Sequence, residues 1–391
     1  NNELVRLILP RCRIDSNEIK IEIMQFVFWQ NIISIHQSTF LSTLSNRHSI
    51  LLVVEQRLDQ ERKGDGWSIP DMGKTKIIVA PDDKTIDNLI LENKDAVHVF
   101  SGINAFPMVY KAFKKVVALD LKILVYVEPY VWFGIKGFFR RLKYMALNLC
   151  YGKNIDGLLV TGQTGRRCFL KAGFEKSKIF DWGYFTAQRA FNEGAMSNEN
   201  RQKPAILYVG RIDCNKNILS LVDICFKHVG KYACLDIIGA GPLTDLLIKK
   251  IDRAEDIKYL GSKTNNEVLD LMCRYDILVL PSLYDGWGAV VNEALQNGMR
   301  VIASENCGAS VLLDGKDRGE AFSFVNKEKS LEKILLKWLE KGTVSLADRQ
   351  NIAEWTRYSI SGDSVAAYFE KICSCISGDC THNEVIAPWL S

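Results

Sequence analysis

The strongest constraint on the fold is a rhythm in the second half of the chain. Five short apolar runs rich in β-branched residues, at 205–209, 235–238, 257–260, 277–280 and 301–303, alternate with stretches of helical period at 218–228, 243–251, 266–274 and 289–296. A strand that is apolar on both faces has to be covered on both. The pattern therefore predicts a parallel, doubly wound α/β sheet joined by short Gly-, Pro- or Asn-containing turns. Ligands of such sheets sit beyond the carboxyl ends of the strands, so the loops after these runs are where chemistry is expected.

The first half is less regular but carries the same elements. Strands are expected at 21–29, 50–54, 77–80, 96–100, 123–127 and 157–160, helices at 38–44, 105–115 and 136–149, and an exposed loop at 64–73. With 391 residues the chain exceeds what one hydrophobic core organises. A polar stretch around 190–204 divides it. The expected plan is an N-terminal domain 1–190, a linker 191–204, a second domain 205–358, and a C-terminal helix and tail 359–391.

A composition of 47% hydrophobic and 25% charged residues excludes disordered, collagen-like and coiled-coil readings. No stretch reaches the ~20 uncharged apolar residues that a spanning helix needs. The most apolar segment, 123–135, is interrupted by Glu128. Eleven cysteines without short regular spacing speak against a disulfide framework and for a reducing, cytoplasmic compartment. The chain opens Asn1-Asn2-Glu3, with no basic-then-apolar leader legible. Cys373, Cys375, Cys380 and His382 fit no common zinc spacing and read as a helix-end cluster of reduced thiols.

Charge is unevenly shared. Residues 1–200 hold 27 basic against 21 acidic side chains, and the remainder 23 against 25. Between Lys111 and Lys178 there are fourteen basic and four acidic residues, including the basic and aromatic mixture Phe138-Phe139-Arg140-Arg141-Leu142-Lys143-Tyr144. Segment 111–178 suits either a solvated basic helix face or the anionic inner face of a membrane. No recognition motif supports nucleic acid as a partner.

Three motifs follow the second-half strands. In the first, Gly210-Arg211 with Lys216 puts a planar fork and a point charge after a strand end, a pair suited to diphosphate oxygens. Next comes Gly239-Ala240-Gly241-Pro242, a fingerprint-like turn lacking the third glycine; Tyr259-Leu260-Gly261 then ends another strand. Gly241 and Leu260 are the donor-binding candidates here, Leu260 in a base-binding slot, with a structural turn and core packing as the respective alternatives. The third is Pro281-Ser282-Leu283-Tyr284-Asp285-Gly286-Trp287-Gly288, with Glu293 eight residues beyond Asp285. Its Gly286, Trp287 and Gly288 amides are expected at a helix N-terminus, able to hold phosphate or a hydroxyl.

Together and in this order, these residues resemble the retaining glycosyltransferases of the GT-B fold, family four, over about residues 204–341. The resemblance implies two Rossmann-like domains with the active site in the cleft between them, and a C-terminal helix crossing back to the first domain. It implies that Arg211 and Lys216 neutralise the diphosphate of a nucleotide-sugar donor, that Glu293 holds the ribose and Asp285 the transferred sugar, and that the 286–288 backbone holds sugar and phosphate. No cofactor and no metal are implied, the donor being a substrate. Asp285 departs from the family pattern, which has Glu there, and its reach is shorter by one methylene.

The first domain matches more loosely. Asn31 and His36, after the 21–29 strand, are expected on the acceptor side, and Glu128 stands where many relatives carry a His. Beside Trp132 and Phe133 its carboxyl is expected to be held protonated more readily and to act as a base. The implied function is transfer of a sugar to a saccharide or lipid-linked acceptor in surface-polysaccharide synthesis. An epimerase, a phosphorylase or a non-catalytic nucleotide-sugar-binding protein of the same architecture are the rivals.

Overall fold

The computed structural model describes residues 23–57, 70–189 and 201–391. The chain forms two parallel sheets. The first contains β1 (Gln25–Gln30), β2 (Ser49–Val54), β3 (Lys76–Val79), β4 (Val97–Ser101), β5 (Ile123–Val127), β6 (Gly157–Thr161) and β7 (Ile179–Trp182), in spatial order β3-β2-β1-β4-β5-β6-β7. Its helices are α1 (Ile35–Leu44), α2 (Asp83–Glu92), α3 (Pro107–Ala118), α4 (Gly134–Tyr151) and α5 (Gly162–Lys171).

The second contains β8 (Ala205–Val209), β9 (Cys234–Ile238), β10 (Ile257–Tyr259), β11 (Ile277–Leu280), β12 (Arg300–Ser304) and β13 (Gly319–Phe322), in order β10-β9-β8-β11-β12-β13. Here the helices are α6 (Ile218–Lys227), α7 (Thr244–Ile251), α8 (Asn265–Met272), α9 (Val290–Gln296), α10 (Lys327–Glu340), α11 (Leu346–Ser359) and α12 (Gly362–Ser377). The five second-half runs are all strands, and β8 and β11 match their expected bounds.

These orders fix where a ligand can sit. In each sheet the strand order reverses at one point, between β1 and β4 in the first and between β8 and β11 in the second. The loops leaving the two strands at a reversal diverge and open a crevice at their carboxyl ends. Arg211 and Asp285 follow β8 and β11, and Asn31 and His36 follow β1.

The C-terminal helix α12 crosses back as expected. Phe369 packs 5.3 Å from Phe26 and 5.1 Å from Phe40 between ring centroids, and the Tyr368 hydroxyl donates to the Asp181 carbonyl at 3.0 Å. Arg47 pairs with Asp363 and Glu370 at 3.0 and 3.3 Å. Gly362 suits this close approach: a Cβ there would stand 2.4 Å from the Thr43 hydroxyl. One core, running from Phe28 through Trp182 and Leu278 to Phe369, therefore unites both domains.

Most of the division expected at 191–204 lies outside the described residues. Four helices, α2, α5, α10 and α11, and strands β7 and β13 were not anticipated; the two strands have four residues each, too short for a periodic signal.

Candidate active site

The loop after β8 is built by backbone contacts that only glycine allows. The Gly210 amide donates to the Ile238 carbonyl at 3.1 Å and the Ile212 amide to Ala240 at 3.0 Å. Gly239 adopts φ +137°, and a Cβ on it would lie 2.0 Å from the Gly210 carbonyl oxygen; one on Gly241 would lie 2.3 Å from that of Ile212. Both glycines thus serve loop-on-loop packing, and Gly241 also lines a cavity. Buried Tyr208, whose hydroxyl burial holds well above its ordinary pKa, donates to the Arg211 carbonyl at 2.8 Å and pins the turn.

Two further loops close around it. Asp213 accepts from the Lys216 amide at 2.8 Å and Asn215 donates to the Tyr284 carbonyl at 2.9 Å. In return, the Leu283 amide donates to the Asn215 carbonyl at 2.7 Å. This lacing puts the Lys216 ammonium in an ion pair with Asp285, both side chains largely buried. Arg211 reaches Asp213 at 3.5 Å and keeps two-thirds of its side chain exposed. The two cations and the first acid of the expected constellation therefore meet at one place.

A cavity of about 620 Å³ lies between the domains, lined by Ser34, His36, Glu128 and Tyr184 from one side and by Val209, Gly210, Arg211, Lys216, Leu280 and residues 285–290 from the other. A neighbouring cavity of about 760 Å³ shares Val209, Gly210 and Arg211 and continues along residues 238–241, Ser262, Lys263, Thr264, Glu267 and Val268. The sequence reading missed this second wall. Its signal was present as Thr264-Asn265-Asn266-Glu267, an N-capping box in which Thr264 and Glu267 exchange hydrogen bonds.

Several expectations need correction. Gly286, Trp287 and Gly288 do not form a helix N-terminus, because α9 begins only at Val290. They form the turn before it, fixed by the buried Trp287 ring. Trp287 Nε1 donates to Asn292 Oδ1 at 2.8 Å, and Asn292 in turn donates to the Tyr184 carbonyl at 2.9 Å. Glu293 lies in the first turn of α9, not beyond it. It accepts from Asn265 at 2.9 Å and is not among the residues lining either cavity. Leu260 packs on the core, and Asn31 is not among the residues lining the cavity between the domains. Glu128 is exposed rather than enclosed by apolar side chains, so the surround invoked for an activated base is absent; its carboxylate instead lies against Gly286, where a Cβ would approach Oε2 to 2.6 Å.

His36 stacks on Tyr184 with ring centroids 5.0 Å apart and 2° between planes. Tyr284 completes a clamp across the cleft, its hydroxyl donating to the Pro129 carbonyl at 2.5 Å and its ring lying 5.5 Å from Trp132. Of the C-terminal cysteines, Cys373 is buried within α12, and His382 reaches the Ile179 carbonyl at 2.9 Å.

The likeness to solved proteins is one of fold and extends over most of the chain. The chain is similar over 90% of its length, and over all of the other chain, to HepE of Anabaena solved with UDP, at a TM-score of 0.66 and 12% identity. A second solved structure, the lipopolysaccharide outer core galactosyltransferase WaaB in its apo form, aligns over 90% of this chain and 99% of its own at 0.65 and 14% identity. The fold is GT-B. Within this GT-B chain, residues 192–357 match the family described as glycosyl transferases group 1. A curated relative, an uncharacterized 41.2 kDa protein in the cps region of Klebsiella pneumoniae, is 24% identical over 246 residues, 61% of this chain and 68% of the relative.

Burial raises the Glu293 carboxyl to about pH 6, opposed by the hydrogen bond from Asn265 and by Arg189. The native state then binds a proton that the unfolded chain has released between about pH 4.5 and 6, so this group lowers stability as pH rises through that window. If Glu293 accepts hydrogen bonds from a ribose, ligand affinity has the opposite sign. It should weaken as pH falls below about 6, and Glu293→Gln should flatten the profile. Calorimetric titration of a nucleoside diphosphate between pH 5 and 7.5 measures this; an unchanged profile in the variant removes Glu293 from the binding site.

Proposed function

We propose that this chain is a metal-independent, retaining glycosyltransferase that moves a sugar from a nucleotide diphosphate sugar to a saccharide or lipid-linked acceptor in surface-polysaccharide synthesis. The observation that carries this reading is the Lys216–Asp285 ion pair on the wall of a cavity that both domains line, with Arg211 shared between it and the adjoining cavity. The group 1 match supports glycosyl transfer as the chemistry. Because HepE was solved with UDP, uridine diphosphate sugars are the first donors to try. WaaB, described as acting on lipopolysaccharide outer core, supports a saccharide acceptor.

In this account the nucleoside lies along residues 238–241 and 262–268, with Glu293 behind Asn265 on its ribose side. The diphosphate lies at Arg211 and the sugar between Asp285 and Glu128. Breaking the bond from the anomeric carbon to phosphate oxygen leaves a further negative charge on the departing diphosphate. Lys216 is already held by its ion pair with Asp285, so it stabilises that charge with little reorganisation, and Arg211 adds its charge from the exposed rim of the same loop. Asp285 orients Lys216 and accepts from sugar hydroxyls. Glu128, on the acceptor wall, orients the attacking hydroxyl, which enters on the face the diphosphate leaves and passes its proton to the departing phosphate oxygen. We place the chain in the cytoplasm, a reading that rests on cysteine usage, and at an anionic inner membrane surface through 111–178. No helix among the described residues is long and apolar enough to cross a membrane.

A thermal-shift panel of nucleotide diphosphate sugars tests the donor. Stabilisation follows RT ln(1 + [L]/Kd), so a ligand at 100 times Kd adds about 2.7 kcal/mol and a clear rise in Tm. Uridine donors should shift the parent, and Arg211→Ala should reduce the shift. A panel that moves nothing at millimolar concentration refutes the reading.

A further inference from the structure

Helix α4 presents two apolar faces. One, formed by Gly137, Tyr144 and Leu147, packs on the first domain, with Tyr144 against Tyr130 and Phe169 at 4.9 and 5.1 Å between centroids. The other points away from the protein. Ile135, Phe138, Phe139, Leu142, Met145 and Leu149 recur at helical spacing and are exposed by 37% to 86%. A surface helix ordinarily turns charge outward, and a contiguous apolar stripe of this size marks an interaction site.

The helix carries Lys136, Arg140, Arg141 and Lys143, all exposed, and no acidic residue. At 100° per residue, Lys136 and Lys143 flank the stripe on one side and Arg141 on the other. A second copy meeting this face about a two-fold axis would bring like charges together. An anionic surface with an apolar interior complements both features.

We propose that α4 lies side-on in the interface of an anionic bilayer, sinking this stripe among the acyl chains while its cations meet lipid headgroups. The proposal narrows the membrane-surface reading of 111–178 to one face of one helix and makes the acceptor lipid-borne. The segment from Glu128 to Phe133 runs directly from the cleft into α4, and the Tyr284 hydroxyl ties it to the donor loop at the Pro129 carbonyl. An acceptor headgroup anchored beside α4 would thus be delivered to the Glu128 wall.

The test is co-sedimentation of the full chain with vesicles of phosphatidylcholine alone and of phosphatidylcholine mixed with phosphatidylglycerol. The parent should bind the mixed vesicles and release from them as salt rises. Leu142→Glu and Phe139→Glu should each weaken binding at least about tenfold. Lys136→Gln with Arg141→Gln should weaken it and reduce the salt dependence. These positions are exposed, so the variants should keep the parental Tm and the donor-induced thermal shift, which separates this proposal from the catalytic one. Binding that is indifferent to anionic lipid, or unchanged in the glutamate variants, overturns the proposal. So does concentration-dependent self-association in light scattering that Leu142→Glu abolishes, which would assign the stripe to a second copy.

Discussion

Replacing Lys216 with alanine should lower kcat by about 10²–10³-fold, the loss usual when one preorganised charge facing a developing anion is removed. The fall should be in kcat more than in KM, because the charge that Lys216 meets is largest once the leaving group departs. Its removal also strands Asp285, whose side chain is mostly buried, so the sugar subsite loses its alignment as well. The loops remain laced by Asn215 and Asp213 through backbone groups, so the variant should still fold, with a Tm lowered by the cost of leaving the largely buried Asp285 carboxylate unpaired, about 1–3 kcal/mol. Near-parental turnover in Lys216→Ala would contradict the role given to the ion pair.

Gly308→Ala should be a severely damaging methyl addition where the two domains meet. A Cβ there would stand 2.2 Å from the Gly286 carbonyl oxygen and 3.0 Å from Trp287 Cα, both backbone atoms that no rotamer change can relieve. Gly162 presses from the first domain, its own Cβ position 2.6 Å from Gly308 Cα. Three backbones are thus stacked where the domains meet. The alanine must push the 285–288 loop outward, stretching the bonds from the Gly308 amide to Asp285 and from the Asp285 amide to Asn306, now 3.1 and 3.2 Å. Overpacking of this kind costs about 1–3 kcal/mol, a drop of several degrees in Tm, and should reduce donor affinity as well. Gly315→Ala is the control. Gly315 also has a positive φ, +72°, but nothing lies within 4 Å of its Cβ position, so it should lose a little stability and no donor binding.

The parts of this molecule legible in the sequence are those set by periodicity and by backbone need. Runs 205–209 and 277–280 read as buried strands because they are apolar on both faces, and their order placed Arg211 and Asp285 at one crevice. Strand β13 and helix α5, which begins at Gly162 directly after β6, gave no such signal. The same limit applied within the site. Spacing suggested that Asp285 and Glu293 grip a ligand together, whereas the turn at Gly288 (φ +88°) swings Glu293 toward Asn265. Apolar neighbours in sequence suggested an enclosed Glu128, but the Trp132 ring packs against Tyr284 and Glu128 is exposed. The clamp from Tyr284 to Pro129 joins residues 155 positions apart, a contact that no local pattern announces.

The most direct measurement is product analysis of the donor that stabilises the chain best, incubated with the parent and with Lys216→Ala. The account predicts free nucleoside diphosphate and a transferred or hydrolysed sugar from the parent, reduced at least about a hundredfold in the variant. Recovery of an epimerised nucleotide sugar with no diphosphate released, or tight binding with the donor left intact, would contradict it.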